Sequence, residues 1–342
     1  MTTIELFKQG ISRVRRTKRM VLFAWAVNLS VALILAFPLR NQLDSYLRNT
    51  VMEEQVLQKM NDNWWQTYKY DHRSSEIARI VNISIFGYAP FVFHTDGVLR
   101  GSVVRSVGTF LTDLVFGFKV NPSPLNILVL LALLYAILNS YLAGGFIGMY
   151  VREHRSSFQD FLIDGAKYFG RFFRLSLFSV IVLALFFAYI MSWINSSIAE
   201  WTRNEPSEMT PYTYYMVRNV VFFLLLAVFM MSIDYAKIRI VVDDRLSSFL
   251  GFFAGFRFAF RNFGKTFSLY IVLLILGAVF IALYAWLEGQ FSQGVYWEIL
   301  FVALLQQLYM LAYFWLKANF FASQTSLYQD FLKAEHRAVL AS

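Results

Sequence analysis

Six apolar blocks, each long enough to cross a lipid bilayer as a helix, constrain the fold of this chain more than any other feature. The hydrocarbon core of a bilayer is about 30 Å thick, and roughly 20 helical residues cross it. Backbone polar groups in lipid must be hydrogen-bonded within the structure, which favours helices. We therefore predict an all-α polytopic bundle with six transmembrane helices. The blocks are Met20–Leu39, Leu125–Tyr150, Leu175–Ile198, Tyr215–Ala236, Phe267–Leu287 and Val295–Leu316.

The composition supports a membrane protein over a soluble one. Of the 342 residues, 58% are hydrophobic and 15% are charged, whereas a soluble domain has about 25% charged residues. We expect one membrane domain over 1–342. We expect Met20–Leu39 to be a membrane helix and not a cleavable signal, because no small-x-small cleavage pattern follows it. The chain has no cysteine, which excludes disulfides and thiolate metal sites.

The distribution of basic residues predicts the orientation. Segments 1–19, 151–174, 237–266 and 317–342 hold 20 of the 31 Lys and Arg residues. Membrane proteins keep basic loops in the cytoplasm, so we expect these segments and both termini there. A nucleic-acid partner is not expected, because a nucleic-acid surface needs its basic charge on a water-exposed domain.

Two stretches 91 positions apart indicate an internal repeat. The sequence of 151–158 is Val-Arg-Glu-His-Arg-Ser-Ser-Phe, and that of 242–249 is Val-Asp-Asp-Arg-Leu-Ser-Ser-Phe. Each opens a run with phenylalanines at helical spacing, Phe158–Phe173 and Phe249–Phe263, and arginines at its flank. Such a helix suits the cytosolic membrane interface. A weaker third copy begins near Ile4.

The repeats divide the chain into three helix-pair units, each led by a cytosolic interfacial amphipathic helix. The first unit covers 1–150 and carries an outer-side insertion at 40–124, for which we expect a helical cap. The second covers 151–238 and the third 242–324. Residues 325–342 form a cytosolic tail in this scheme. Parallel repeats of this kind imply pseudo-symmetry about the membrane normal.

No constellation in the sequence indicates catalysis, a metal site or a cofactor, and we expect none of the three. The remaining candidates are charged or polar residues near the membrane. One group is either a structural salt-bridge cluster or a lipid head-group site. This group is Asp234, Lys237, Arg239, Asp244 and Arg245.

Neutral polar residues at mid-depth form a second group, which either glues helices together or lines a solute path. These are Asn28, Asn139, Gln306 and Gln307. In addition, Arg218 and Glu298 lie at similar depth on the fourth and sixth helices. They either form an ion pair or extend separately to the outer interface. Gly144, Gly145 and Gly148 form a Gly-x-x-x-Gly face for close helix approach.

The chain resembles a family of uncharacterised bacterial multi-pass membrane proteins at three places. They are Asp234-Tyr-Ala-Lys-Ile-Arg239 with Asp244-Arg245, Leu142-Ala-Gly-Gly145, and Gln307-Leu-Tyr with Ala322-Ser-Gln-Thr325. In its general sequence character the chain is also similar to the membrane domains that accompany glycerophosphodiester phosphodiesterases, although the hydrolase itself is absent. The resemblance implies a bacterial inner membrane and supplies no catalytic residue.

We therefore expect a non-enzymatic accessory or scaffold subunit that assembles with membrane lipids, with other membrane proteins or with itself. The alternative is a transporter or channel for a lipidic or weakly polar solute, lined by Asn28, Asn139 and Gln306. A membrane-embedded enzyme would need several titratable groups converging at one depth, and Arg218 with Glu298 are too few.

Overall fold

The computed structural model describes residues 2–47, 70, 124–152, 157–244, 247–291 and 295–341, with side chains undescribed at 34–47, 124–132 and 339–341. The outer insertion and its expected helical cap lie almost wholly outside these residues. The described part is helical and contains no strand, which confirms the all-α prediction. Its helices are α1 (Thr3–Arg16), α2 (Lys18–Leu47), α3 (Pro124–Val151), α4 (Phe158–Leu185), α5 (Ser192–Trp201), α6 (Met209–Asp243), α7 (Ser248–Arg261), α8 (Phe263–Glu288) and α9 (Tyr296–Ala341). A π-helical turn, Phe186–Met191, joins α4 to α5 without a break.

Five stretches of the described residues are long and apolar enough to cross a membrane: one in α3, one running from α4 through α5, and one each in α6, α8 and α9. The chain is thus a multi-pass membrane protein by length and composition of its helices. Side chains of α2 are described only to residue 33, so the first predicted span stays a prediction.

Two of these stretches are about twice as long as a bilayer crossing requires. The continuous helix Phe158–Trp201 has 44 residues, and α9 has 46. At about 1.5 Å per residue each is roughly 65–70 Å long, against about 30 Å of hydrocarbon. Part of each helix therefore extends beyond the membrane.

Burial is concentrated at the end of the bundle that carries the basic segments. Here α1, the ends of α3 and α6 and the beginning of α8 pack against α9, and the beginning of α4 packs against α3. The opposite halves of these helices expose large apolar side chains. Aromatic residues exposed towards that opposite end are Tyr189, Trp193, Trp201, Trp286, Tyr296 and Trp297, as is typical of a membrane–water interface.

The helices that follow the basic segments pack in one repeated order. Helix α1 lies against α9, the first half of α4 against α3, and α7 against α6. Each of the three begins after a hydroxyl N-cap, Thr2, Ser157 or Ser247, whose side chain accepts a bond from a backbone amide of the first turn.

A glycine stands eight residues after each of these caps, at the crossing point. A Cβ on Gly10 would meet Ser323 of α9, one on Gly165 would meet Tyr141 of α3, and one on Gly255 would meet Ala236 of α6. The N-caps of the last two copies, Ser157 and Ser247, are 90 positions apart. This spacing is one residue shorter than the 91 positions between the aligned sequence motifs.

The amphipathic helices differ in how they join the following membrane helix. Thr17 ends α1 and Asn262 ends α7, each fifteen residues after its cap. The Thr17 hydroxyl donates to the carbonyl of Val14 (3.2 Å) and the Asn262 amide donates to that of Phe258 (3.1 Å). Such side chains compete for the backbone groups that a continuing helix would use.

The second copy has no such break, which differs from the expectation of a separate interfacial helix there. Phe172 occupies the same position, fifteen residues after Ser157, and has no polar group to compete with the backbone. Helix α4 therefore continues from Phe158 into the membrane-spanning part without interruption.

The end of the chain also differs from expectation. The sequence predicts a membrane helix that ends at Leu316 and a tail over 325–342, whereas α9 continues to Ala341. The stretch 314–328 holds the most consistently buried residues of α9. From the sequence alone its polar residues would be expected on a water-exposed surface, but they lie where α1, α3, α6 and α8 pack against α9.

Candidate functional sites: a polar core and a buried arginine

The polar core lies on α9, at the basic end of the bundle. Asn319, Ser323, Gln324 and Thr325 are each 0% exposed. The Asn319 amide donates to the carbonyl of Trp315 (3.1 Å). Both amide atoms of Gln324 and the Thr325 hydroxyl have no protein partner among the described residues. Leaving such a group unsatisfied costs about 1–3 kcal/mol, and buried polar groups usually bind ordered water or a ligand instead.

A charged group borders this core. The Lys317 ammonium donates to Oδ1 of Asn139, which joins α9 to α3. On α6, Lys237 lies 3.3 Å from the carboxylate of Asp234 and 5.7 Å from the centre of the Phe321 ring. The predicted polar residue Asn139 thus binds another helix.

The sequence does not single out Lys317, because the distribution of basic residues places Lys317 in the cytosolic segment 317–342. A signal was present in the helical spacing. Lys317, Phe321, Gln324 and Tyr328 recur at steps of four, three and four residues, which puts them on one face of a helix that continues past Leu316.

The predicted charge cluster does not converge on one point. Arg239 pairs with Asp243 (3.3 Å) and donates to the carbonyl of Ala254 on α7 (3.3 Å). Asp244 instead reaches α4, where it accepts from Lys167 (2.8 Å) and Arg171 (3.1 Å). These bonds hold α6 to its neighbours, as a structural cluster would. Asp234 and Lys237 pair separately, and Arg245 lies outside the described residues.

Asp244 has the geometry of a structural connector. Its φ of 44° places it in the left-handed region at the end of α6, a conformation that Asp tolerates better than most residues. The hydrogen bond from Lys167 lowers the pKa of the Asp244 carboxyl, and the Arg171 guanidinium adds to this effect. Asp244 is therefore ionised at neutral pH.

A further ion-paired group joins α3 to α4. Arg152 contacts Asp164, which is 2% exposed, and also Asp160 at 3.4 Å. Asp164 lies against Gly148, where an added Cβ would be 2.6 Å from the carboxylate side chain. The Gly-x-x-x-Gly face of α3 is therefore occupied within the chain, by α4.

The buried arginine is Arg218, in the opposite half of the bundle. Its side chain is only 6% exposed, and its guanidinium donates to Oδ1 of Asn219 (2.8 Å) and of Asn195. The Tyr215 ring lies 4.8 Å from the guanidinium carbon. The bond to Asn195 joins α6 to α5 just beyond the π-helical turn. The ion pair between Arg218 and Glu298 stays a prediction.

The other predicted polar residues are not among the buried groups of either site. Gln306 is exposed, and Gln307 and Asn28 are half-buried. Within the described ranges, no three His, Cys, Asp or Glu residues are placed together so that they could hold a metal ion.

Taken together, the polar and charged residues mainly connect helices: α3 with α9, α6 with α7, α4 with α6, and α5 with α6. Comparison of the chain with protein-family models, with curated proteins and with solved structures gives no match.

Proposed function

We propose that this chain is a non-enzymatic integral membrane protein, an accessory or scaffold subunit that presents apolar helices to lipids and to other membrane proteins. One observation carries the proposal. The tight core lies at the basic end, while the other halves of the long helices expose apolar side chains such as Ile181, Ile275 and Leu304, at 56%, 58% and 61%. Helices anchored at one end and uncovered along the other are available to partners in the bilayer.

We infer that the fold arose from three copies of a helix pair. The supporting observations are the shared caps, the glycines Gly10, Gly165 and Gly255, and the packing order of α1 on α9, α4 on α3 and α7 on α6. In this scheme each leading helix lies on the returning helix of the preceding unit, and the first unit lies on the last. The arrangement closes into a ring around the basic end.

The proposed orientation follows from charge. The basic end would face the cytoplasm, with both termini there and six transmembrane helices in all, α2 being the first. A bacterial inner membrane is the location that the family resemblance implies. Protease accessibility of tags at each terminus in sealed vesicles and in opened vesicles tests the orientation.

The accessory role is tested by native mass spectrometry of the full chain extracted with its surrounding lipid. We expect a second membrane protein, or a second copy of this chain, at a fixed ratio. A chain that carries lipid alone would contradict the proposal.

Tryptophan substitution then locates the contact. Lipid accommodates a bulky side chain, whereas closely packed membrane helices do not. We expect one of the pairs Ile181/Leu185, Ile275/Val279 and Leu304/Leu308, all more than half exposed, to release the partner when both members are changed to Trp. The two insensitive pairs are the matched controls, and three insensitive pairs would mean that these faces contact only lipid.

The second candidate, a transporter or channel, is favoured by the polar run on α9 and by the Lys317–Asn139 contact beside it. It predicts that reconstituted vesicles exchange a solute at a rate that falls when Gln324 is changed to Leu. Equal exchange by the variant, or no exchange by the native chain, would leave the accessory role as the better description.

A further inference from the structure

Helix α7 presents three different faces around its axis. One face, with Gly251, Gly255 and Ala259, is buried, and Ile240 and Ala236 of α6 lie against its glycines. A second face carries phenylalanines, and the third carries arginines. At 100° per residue the centres of the phenylalanine and arginine faces are about 80° apart, and each lies about 140° from the centre of the buried face. The exposed phenylalanines are Phe249, Phe253 and Phe260, at 55%, 53% and 56%.

The arginine face is Arg257 and Arg261, one helical turn apart and both exposed. Lys265 follows just past the Asn262 turn and is also exposed, with its ammonium 5.2 Å from the centre of the Phe331 ring. Two guanidinium groups therefore project from the helix beside an uncovered aromatic stripe.

Three basic side chains in the corresponding copy, Arg152 just before α4 and Lys167 and Arg171 within it, bind carboxylates of the protein. Lys167 and Arg171 both bind the carboxylate of Asp244, and Arg152 pairs with Asp160 and Asp164. Within the part of the chain that the structure describes, Arg257 and Arg261 contact no carboxylate. The two copies thus differ: Lys167 and Arg171 bind a carboxylate of the protein, whereas Arg257 and Arg261 do not. Arg174, further along α4, is exposed and donates to the carbonyl of Gly170.

We propose that α7 is a docking surface for anionic phospholipid head groups of the bilayer, with its phenylalanines in the acyl region and with Arg257 and Arg261 at the phosphates. The phenylalanine stripe carries the choice of a lipid over a free phosphate, because a soluble anion would leave those rings in water. The two unneutralised arginines carry the choice of an anionic lipid over a zwitterionic one, and an interfacial helix of this composition binds anionic membranes.

The proposed lipid site on α7 differs from the group of residues that the sequence suggested. The cluster around Arg239 and Asp244 is engaged in holding helices together, whereas α7 has unengaged cations. The proposed lipid site deepens the proposed function. It rests on insertion of the chain into a membrane and does not depend on the accessory role. Partner capture and lipid retention are measured separately, so a negative result in one measurement does not change the interpretation of the other.

The test is native mass spectrometry of the purified full chain, titrated with phosphatidylglycerol, with phosphatidylcholine of the same acyl chains, and with inorganic phosphate. We expect preferential retention of phosphatidylglycerol. The double variant Arg257→Gln, Arg261→Gln should bind it about 30-fold more weakly, which corresponds to about 1 kcal/mol for each cation near an anionic surface. The charge-preserving variant Arg257→Lys, Arg261→Lys should retain most of the affinity.

A matched control removes the same charge elsewhere on the basic side. Lys333→Gln with Arg337→Gln, near the end of α9, should leave phosphatidylglycerol retention unchanged. Equal retention of the two phospholipids by the native chain would overturn the proposal. It would also be overturned if Arg257→Gln, Arg261→Gln kept the native preference, or if inorganic phosphate displaced the lipid. All variants alter exposed residues, and an unchanged melting temperature verifies that each is folded.

Discussion

The three crossing glycines allow a graded test of how closely the amphipathic helices approach their partners. At Gly255 an added Cβ would lie 2.5 Å from Cα and 2.6 Å from Cβ of Ala236, atoms that cannot move without moving α6. At Gly165 it would lie 2.9 Å from ring atoms of Tyr141, a side chain with some freedom. At Gly10 it would meet the Ser323 hydroxyl, which can rotate away, and would lie 3.1 Å from Cβ and 3.2 Å from the backbone N of Ser323, which need to shift by only a few tenths of an ångström. Substitution by alanine should therefore be most harmful at Gly255 and least harmful at Gly10.

The magnitude follows from two opposing effects. Alanine in place of a helical glycine stabilises by about 0.5–1 kcal/mol where space allows, and forcing a methyl group into a packed core costs about 1–3 kcal/mol. Gly255→Ala should thus have a lower free energy of unfolding than the native chain, by up to about 2 kcal/mol. The matched control is Gly170→Ala on the exposed side of α4, where the nearest atom is 3.9 Å from the added Cβ. It should stabilise by about 0.5–1 kcal/mol.

The assay is unfolding of the full chain in mixed micelles by increasing sodium dodecyl sulfate, followed by circular dichroism. The expected order of stability is Gly170→Ala, then Gly10→Ala, then Gly165→Ala, then Gly255→Ala. If Gly255→Ala were as stable as Gly170→Ala, then α7 would not approach α6 as closely as the structure has it, and the reasoning from backbone contact would fail.

Three further predictions concern polar groups. Asn139→Leu should destabilise by about 1.5–3 kcal/mol, because the Lys317 ammonium loses its acceptor; Lys317→Met added to it should restore most of the loss, and additive losses in this double-mutant cycle would contradict the pairing. Arg218→Leu should lower the melting temperature and Asn195→Leu should do so less, since Arg218 also binds Asn219; equal effects would mean that the Asn219 bonds contribute nothing. The pKa of Asp244 is lowered in the folded chain, so its stabilisation is present above the ordinary carboxyl pKa of about 4 and is lost as pH falls through the lower folded value. Asp244→Asn should lose about 1 kcal/mol or less at neutral pH, as for an exposed ion pair, and should flatten the acid limb of a pH–stability curve; a limb identical to that of the native chain would refute this.

Much of the fold can be predicted from the sequence because lipid permits few backbone solutions. Apolar blocks of sufficient length have to form helices, and five of the six blocks lie in helices that are long and apolar enough to span. Most of the phenylalanine run 249–263 likewise lies in one helix, α7, although the helix ends at Arg261 and Phe263 begins α8. These features depend on local composition and periodicity, which are legible in a single sequence.

The candidate site is less predictable because burial of a polar residue depends on what the rest of the chain puts around it. Asn319, Ser323 and Gln324 have the composition of a water-exposed tail, and they are buried because α1, α3, α6 and α8 pack against α9 there. Charge signs in sequence likewise do not reveal which partner an acid chooses. Asp244 is next to Asp243, but it binds α4, 73 and 77 positions away, while Asp243 pairs with its own helix.

The residue fifteen positions after each N-cap differs between the three amphipathic helices. It marks whether the helix ends there or continues. A polar side chain there, Thr17 or Asn262, ends the leading helix and lets the chain turn before it enters the membrane. Phe172 has no polar side chain at this position, and α4 continues without a break into its membrane part. Lys167 and Arg171, just before it, bind Asp244. Helix α7 instead ends before Asn262, and its Arg257 and Arg261 contact no carboxylate in the described structure. The residue at this position thus distinguishes the copy that continues directly into its membrane part from α7, the copy that we propose docks on the membrane surface.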